Sequence, residues 1–284
     1  MFTLRIHCWG GLGSQMYSLA LAIDLLKRFP SRKICILFHT GGTTLRNMEM
    51  GDLPNNFAYK IINDFTKSNN RGIESLISNT YVKFMKNILM KLGFVSATNT
   101  TSEYKRLKPW VISIRGHYSH RLISYSTLEQ VEKYLKLSNP DNAGKIQNKS
   151  VVALQYRLGD LTLKKKKSIV QVDKVHKVIN ELIKIDIFDS IDVFSDSSHK
   201  ELNVFLNVLK PLNINYIESD PLNTVNLLRN YDIFIGTNSK ISIWAIIFRL
   251  KDNSLSINYC PANILPLLEY NLGSLDKAIN LKTF

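Results

Sequence analysis

Thr3–Phe38 reads TLRIHCWGGLGSQMYSLALAIDLLKRFPSRKICILF, and the fold class follows from it. Thr3–Cys8 alternates apolar and polar residues over the length of a short strand. Gly10, Gly11 and Gly13 break that alternation. Met16, Leu19, Ala20, Ile23 and Leu26 then recur at helical spacing, and Pro30 closes the helix. Lys33–Phe38 is a second strand. Strand, glycine turn, helix and strand make a βαβ unit, which implies a parallel sheet.

The second half of the chain repeats this alternation. Val151–Tyr156 is a buried-type strand ending in the turn Arg157–Asp160. Lys174–Ile185 is helical and Ile191–Phe194 is a strand. Ser195–Ser198 opens a helix carrying Leu202, Phe205, Leu206 and Leu209. Ile214–Ile217 is a strand, and Ser219 can cap a helix through Leu228. Asp232–Ile235, a helix from Asn238 or Ser239 to Leu250, and a last strand Leu255–Tyr259 complete the pattern. Repeated strand-to-helix steps predict a doubly wound α/β domain, with ligands at the C-terminal ends of its strands. Ser96–Lys108 and Ser138–Ser150 are polar connections. The second divides the chain into residues 1–145 and 146–284.

The chain has 284 residues and a formal charge of +14. Its 45% hydrophobic content excludes wholesale disorder. The charge suggests a polyanionic partner: nucleic acid, an acidic membrane surface or a phosphorylated substrate. Cys8, Cys35 and Cys260 are too scattered for a disulfide framework or a zinc cluster, so a reduced intracellular setting is expected. Arg5 and His7 interrupt the N-terminal apolar stretch, which therefore does not read as a signal peptide. No apolar run reaches the length of a membrane span.

Three strand-end clusters can carry chemistry. Gly10–Met16 leads into a helix N-terminus, where backbone N–H groups and the helix dipole suit a phosphate. As a dinucleotide fingerprint it is incomplete, with Met16 in place of the third glycine and no acid after the following strand. Gln155–Asp160 (QYRLGD) puts Arg157 just past a strand, where its planar fork can hold a pyrophosphate. Gly159 permits a close turn, and Asp160 can orient Arg157 or a substrate hydroxyl. Ser195, Asp196 and Ser197 follow one strand, and Asn238, Ser239 and Ser242 another. Each set can act as helix N-caps, but three such clusters in one sheet suit a nucleotide.

Together these segments resemble the bacterial α-1,2-fucosyltransferase family. Its members carry GGLGNQM/F, H-x-R-R-G-D, F-S-D-D and N-S-S-F-S-W-W-G-A segments. Gly10–Met16, Gln155–Asp160, Phe194–Ser197 and Asn238–Ala245 match them here in order. Arg115–Ser119 is similar to the family's G-Y-x-Q-S segment. The resemblance implies a GT-B fold of two Rossmann-like domains facing a cleft, with the acceptor side in 1–145 and GDP-sugar binding in 146–284. It implies inverting transfer of L-fucose from GDP-L-fucose to a hydroxyl, galactoside O2, of a surface-polysaccharide oligosaccharide such as O-antigen. By the same resemblance, Arg157 holds the donor pyrophosphate, and Gln155 replaces a histidine near the guanine. Ser195 and Asp196 contact the nucleotide. Asn238, Ser239 and Ser242 form the phosphate-side helix start, with Gly159 in the same pocket. Gly11, Gly13 and Gln15 approach from the other domain. His117 and Tyr118 fall to the acceptor.

The sequence departs from the family at Gln155, Leu158, Ser197 and Ile243, which makes GDP-L-colitose an alternative donor. Departure of GDP leaves negative charge that Arg157 and helix N-termini can stabilise. No Asp-x-Asp pair is present, and Glu218-Ser219-Asp220 is the nearest approach. Neither a metal nor another cofactor is therefore expected. Asp160 and His117 are the candidates for general base. Lys164–Lys167 reads as a solvated loop, or as a contact for acidic lipid or an acceptor diphosphate at the inner face of a bacterial membrane. A nicotinamide-dependent oxidoreductase would need the missing fingerprint features. A basic nucleic-acid-binding protein has only the charge in its favour.

Overall fold

The computed structural model describes residues 3–40, 46–51, 53, 57–63, 84–85, 87–97, 101–137, 150–158, 172–184, 188–198, 202–203, 207, 213–252, 256–273 and 281–284. The chain divides into two compact units, Met1–Lys136 and Leu137–Phe284. Gly159, Asp160, Lys164–Lys167 and nearly all of the Ser138–Ser150 connection lie outside the described residues.

The first unit is built on β1 (Leu4–Trp9), α1 (Leu12–Arg28) and β2 (Ile34–Thr40). β3 (Ala58–Asn63), β4 (Val95–Ala97), α2 (Thr101–Lys105), β5 (Ser113–Arg115) and α3 (Tyr125–Tyr134) follow. The sheet order is β3-β2-β1-β5-β4, and every pairing is parallel. Leu4, Ile6 and Cys8 turn one face of β1 into the core, while Arg5, His7 and Trp9 alternate onto the other. α1 is buried along most of its length, and its last turn carries Lys27 and Arg28, which suit the dipole. The helix ends as expected before Pro30. Ser96–Lys108 is not a plain connection, since it contains the end of β4 and all of α2.

The second unit runs β6 (Ser150–Gln155), α4 (Val172–Lys184), β7 (Phe188–Phe194), β8 (Asn213–Ile217) and α5 (Pro221–Leu228). It continues with β9 (Ile233–Gly236), α6 (Lys240–Asp252), β10 (Ile257–Cys260), α7 (Leu265–Leu272) and β11 (Leu281–Thr283). The order is β11-β10-β9-β6-β7-β8, again all parallel. The chain thus winds outward from β6 through β7 to β8, then returns to the opposite side of β6 with β9. This is the dinucleotide-fold order, and its switch point lies between β6 and β9. Val152, Leu154, Ile191, Val193, Ile233 and Ile235 pack on Val175, Val178, Ile179 and Leu182 of α4. The helix expected after Ser195–Ser198 is described only at Leu202 and Asn203.

Two readings of the second unit change. Asp220, not Ser219, caps α5: its Oδ1 accepts from Leu222 N and Asn223 N at 2.9 and 3.0 Å. Pro221 at the first helical position fixes this register. Leu255–Tyr259 does not supply the last strand, because β11 pairs beside β10. Arg249 lies within α6. It is fully buried, with Nε donating to Asn258 Oδ1 at 2.6 Å and its terminal nitrogens to the carbonyls of Leu228, Tyr231 and Asp232. It ties α5, α6, β9 and β10 together. Cys8, Cys35 and Cys260 are buried thiols. Among the described residues no helix is long and apolar enough to cross a membrane.

Candidate functional site

In the second unit, the segments that follow β6, β7 and β9 converge because these strands are neighbours. Gln155 lies opposite Gly236 of β9 on one side and Phe194 of β7 on the other. The residues that follow these positions therefore emerge side by side at the switch point. Thr237 Oγ1 donates to Gln155 O at 2.8 Å and accepts from Arg157 N at 3.1 Å. Ser195 Oγ donates to Tyr156 O at 2.6 Å. Asp196 Oδ1 accepts from Leu158 N at 3.1 Å, and its Oδ2 lies 3.9 Å from Arg157 Nε. The backbone on either side of Arg157 is thus fixed from both flanking strands. Its side chain remains 27% exposed, within reach of a ligand at the strand end.

Gln155 is the hub below this turn. It is 4% exposed, and its Oε1 accepts from Ser239 Oγ at 2.8 Å and Ser242 Oγ at 2.6 Å. Ser242 N donates to Ser239 Oγ at 3.0 Å, which is a helix cap for α6. Thr237 N donates to Ser242 Oγ at 3.0 Å. The hydroxyls of Ser195, Ser239 and Ser242, expected at the nucleotide, are thus engaged with the protein itself. They position Arg157 and the start of α6. Asn238 sits in the same turn and is half-buried. Gly236 was not singled out from the sequence. The signal was the Gly-Thr-Asn-Ser step at the end of β9, where a small residue allows close approach. Burial pushes the Tyr156 hydroxyl up to about 12, so it is a neutral group below the Arg157 turn.

The glycine turn of the first unit differs from its expected role. Gly10 has φ +103, a conformation that favours glycine. At the N-terminus of α1, the Leu12 amide is taken by a side chain of the protein itself. Leu12 N donates to Glu49 Oε2 at 2.5 Å, and Arg46 lies 3.6 Å from the same carboxylate. A side chain on Gly11 would meet that carboxylate at 3.0 Å. Gln15 is buried and holds the same segment: Nε2 donates to Asn47 O at 2.8 Å and to Gly10 O at 3.1 Å, and Oε1 accepts from Glu49 N at 2.8 Å. Gly13 is buried within α1. The start of α1 thus holds the Glu49 carboxylate through Leu12 N, and Gln15 holds the Glu49 backbone. Glu49 was missed because it lies in a stretch without periodicity.

The structure separates His117 from Tyr118. His117 is exposed. Tyr118 is 2% exposed at φ 57, and its hydroxyl lies 2.6 Å from His7 O and 2.9 Å from Ile114 O. Burial holds that phenol well above its usual range. Tyr118 therefore joins β1 to β5 and offers no surface to an acceptor.

The chain matches no protein family model, and no curated protein sequence matches it. Solved structures do match. The glycosyl transferase family 9 structure from Veillonella parvula covers 100% of this chain and 86% of its own, at 9% identity and a TM-score of 0.50. The E. coli heptosyltransferase WaaC with ADP covers 99% and 92%, at 9% identity and 0.49. POFUT1 in complex with GDP covers 86% and 93%, at 13% identity and 0.40. The class of fold is thereby defined: a mixed α/β chain with two parallel sheets, the GT-B glycosyltransferase fold.

Proposed function

We infer that the chain is a nucleotide-sugar glycosyltransferase whose second unit binds the donor. The observation that carries this reading is Arg157, held at the switch point by Thr237, Ser195 and Asp196. A guanidinium fixed there, beside the start of α6, suits a diphosphate. As the sugar–phosphate bond breaks, the electron pair goes to GDP, and Arg157 and the α6 dipole stabilise the charge. The acceptor hydroxyl attacks the opposite face of the sugar carbon, which inverts it. The motif resemblance specifies the donor as GDP-L-fucose and the acceptor as a galactoside of a lipid-linked surface oligosaccharide. The +14 charge suits an enzyme working at the acidic inner face of a bacterial membrane.

The positive charge needed at the leaving group comes from the protein itself, so transfer runs without a metal. Activity should survive excess EDTA, and loss restored by Mn²⁺ would refute metal independence. Arg157→Ala should lower GDP-sugar turnover by about 100-fold or more, with an unchanged circular dichroism spectrum. Turnover within a few-fold of wild type would remove Arg157 from the mechanism.

A further inference from the structure

Ligands of an open parallel sheet sit at the C-terminal ends of its strands. The opposite edge of the first unit's sheet has a different character. β1, β2, β4 and β5 start at Leu4, Ile34, Val95 and Ser113, so the segments that enter them lie side by side. Leu4 N donates to Lys33 O at 2.9 Å, Arg5 N to Ile112 O at 2.9 Å, and Ile112 N to Phe94 O at 2.8 Å. Arg28, at the end of α1, donates to the carbonyls of Lys105 and Leu107 at 3.0 Å, and Arg32 donates to that of Pro109 at 2.8 Å. Residues 30–33, 90–94 and 105–112 are thus tied into one edge.

These three segments contain no Asp or Glu. Lys33, Lys91, Lys105, Arg106 and Lys108 are exposed on them. Lys105 also lines an open hollow of about 490 Å³ with Asp24, Lys27, Arg28 and Tyr104. Asp24, the carboxylate of that hollow, is paired with Arg121 at 2.5 Å. Lys27 donates to the hydroxyls of Ser126 and Thr127, and Arg28 to backbone carbonyls. Those bonds fix the two cations without neutralising them.

Apolar side chains stand among the cations. Leu92 is 57% exposed, Trp110 48% and Met90 37%. Trp110 Nε1 donates to Leu92 O at 3.0 Å. Gly93, at φ +79, allows this approach, since a Cβ there would lie 3.4 Å from Trp110 Nε1 and 3.2 Å from Lys108 Cγ. The one polar group of the indole is satisfied by the backbone, so the ring can leave water without losing a hydrogen bond. Lys108 Nζ lies 6.0 Å from the centre of that ring. Indole and aliphatic side chains set among Lys and Arg suit the level of a bilayer where acidic headgroups meet acyl chains. Nucleic acid would take the cations but has no place for Leu92 and Met90.

We propose that this edge docks the chain on a bilayer of anionic lipid. Trp110 and Leu92 enter at the base of the headgroups, and Lys91, Lys105, Arg106 and Lys108 lie on the lipid phosphates. The proposal rests on the membrane part of the reading above, names the face that serves it, and holds whether or not the chain transfers sugar. The C-terminal strand ends of the same sheet stay open to a ligand.

The test is sedimentation of the full chain with vesicles of phosphatidylcholine, with and without phosphatidylglycerol, in low and high salt. The chain should bind the phosphatidylglycerol vesicles, with a blue shift of Trp fluorescence, and release them as salt rises. A triple variant, Lys105→Ala with Arg106→Ala and Lys108→Ala, should bind about 100-fold more weakly, since each cation at an acidic surface contributes about fivefold. Trp110→Ala should weaken binding about tenfold, with unchanged GDP affinity and circular dichroism. Trp110→Phe should keep vesicle binding and lose the blue shift. Equal binding to phosphatidylcholine alone, or wild-type binding by both Trp110→Ala and the triple variant, overturns the proposal. Should the triple variant misfold, Trp110→Phe decides, and a blue shift that persists overturns the face. A dimer that Trp110→Ala dissociates, without vesicle binding, gives the face to a second copy and overturns it too. GDP release without vesicle binding removes the docking face and leaves the transferase reading standing, and vesicle binding without GDP release does the reverse.

Discussion

Gly236 carries no side chain because Ser242 leaves no room for one. A Cβ there would lie 2.9 Å from Ser242 Cβ and 3.1 Å from Phe234 Cε1. Gly236→Ala should therefore cost about 1–3 kcal/mol by overpacking and push Ser242 away from Gln155. A lower Tm together with weaker GDP binding is the expected pair of results. An unchanged Tm would mean that the strand end relaxes freely. Gln155 was visible in the sequence only as a departure from a motif histidine. Its hydrogen-bonding role was not legible, because Ser239 and Ser242 lie 84 and 87 positions away along the chain. Arg157 was legible because a strand end fixes where the next residue emerges. Glu49 was not, since nothing in a spacing pattern announces a carboxylate that reaches a helix start 37 positions earlier.

At the scale of elements, α1 and α3 are joined by a polar anchor rather than by apolar contact alone. Asp24 receives Arg121 at 2.5 Å and the Thr127 hydroxyl at 2.6 Å. Lys27 adds bonds to Ser126 and Thr127 at 2.9 and 3.1 Å. Arg121 is 3% exposed, so its loss of Asp24 leaves a buried charge without its carboxylate. Asp24→Ala should cost about 3 kcal/mol, read from the urea midpoint. A shift below about 0.5 kcal/mol, the range of ordinary surface substitutions, would reduce the anchor to a surface pair. The long elements, α1, β2, α4 and α6, were legible because their periods extend over several repeats. β4, β5 and β11 have three residues each, too few for alternation to register. β3 was hidden differently: Ala58, Tyr59, Lys60 and Ile61 are all exposed on an edge strand.

For the whole molecule, buried phenols and thiols set an alkaline limit. Burial raises Tyr17, Tyr118 and Tyr231 above the ordinary 10.0, and Tyr156 and Cys260 to about 12. The folded chain keeps these protons after the unfolded chain has begun to lose them. Their contribution to stability is thus complete below about pH 9 and is lost as pH rises toward 12. Arg249, which burial pulls down to about 9, acts in the opposite sense, as do Arg32 and Arg121, which burial also lowers. The Tm should fall steadily from pH 8.5 to 11, and a flat profile would contradict this. The +14 charge pointed only to some polyanion. The proposed donor site would give that charge one local use, in Arg157 at the switch point of the second sheet. The most direct test is GDP release by the wild-type chain across a panel of GDP-sugars, including GDP-L-fucose and GDP-L-colitose, with and without β-galactosides. Acceptor-dependent release from a GDP-6-deoxysugar is the predicted result, and no release from any GDP-sugar would contradict the account.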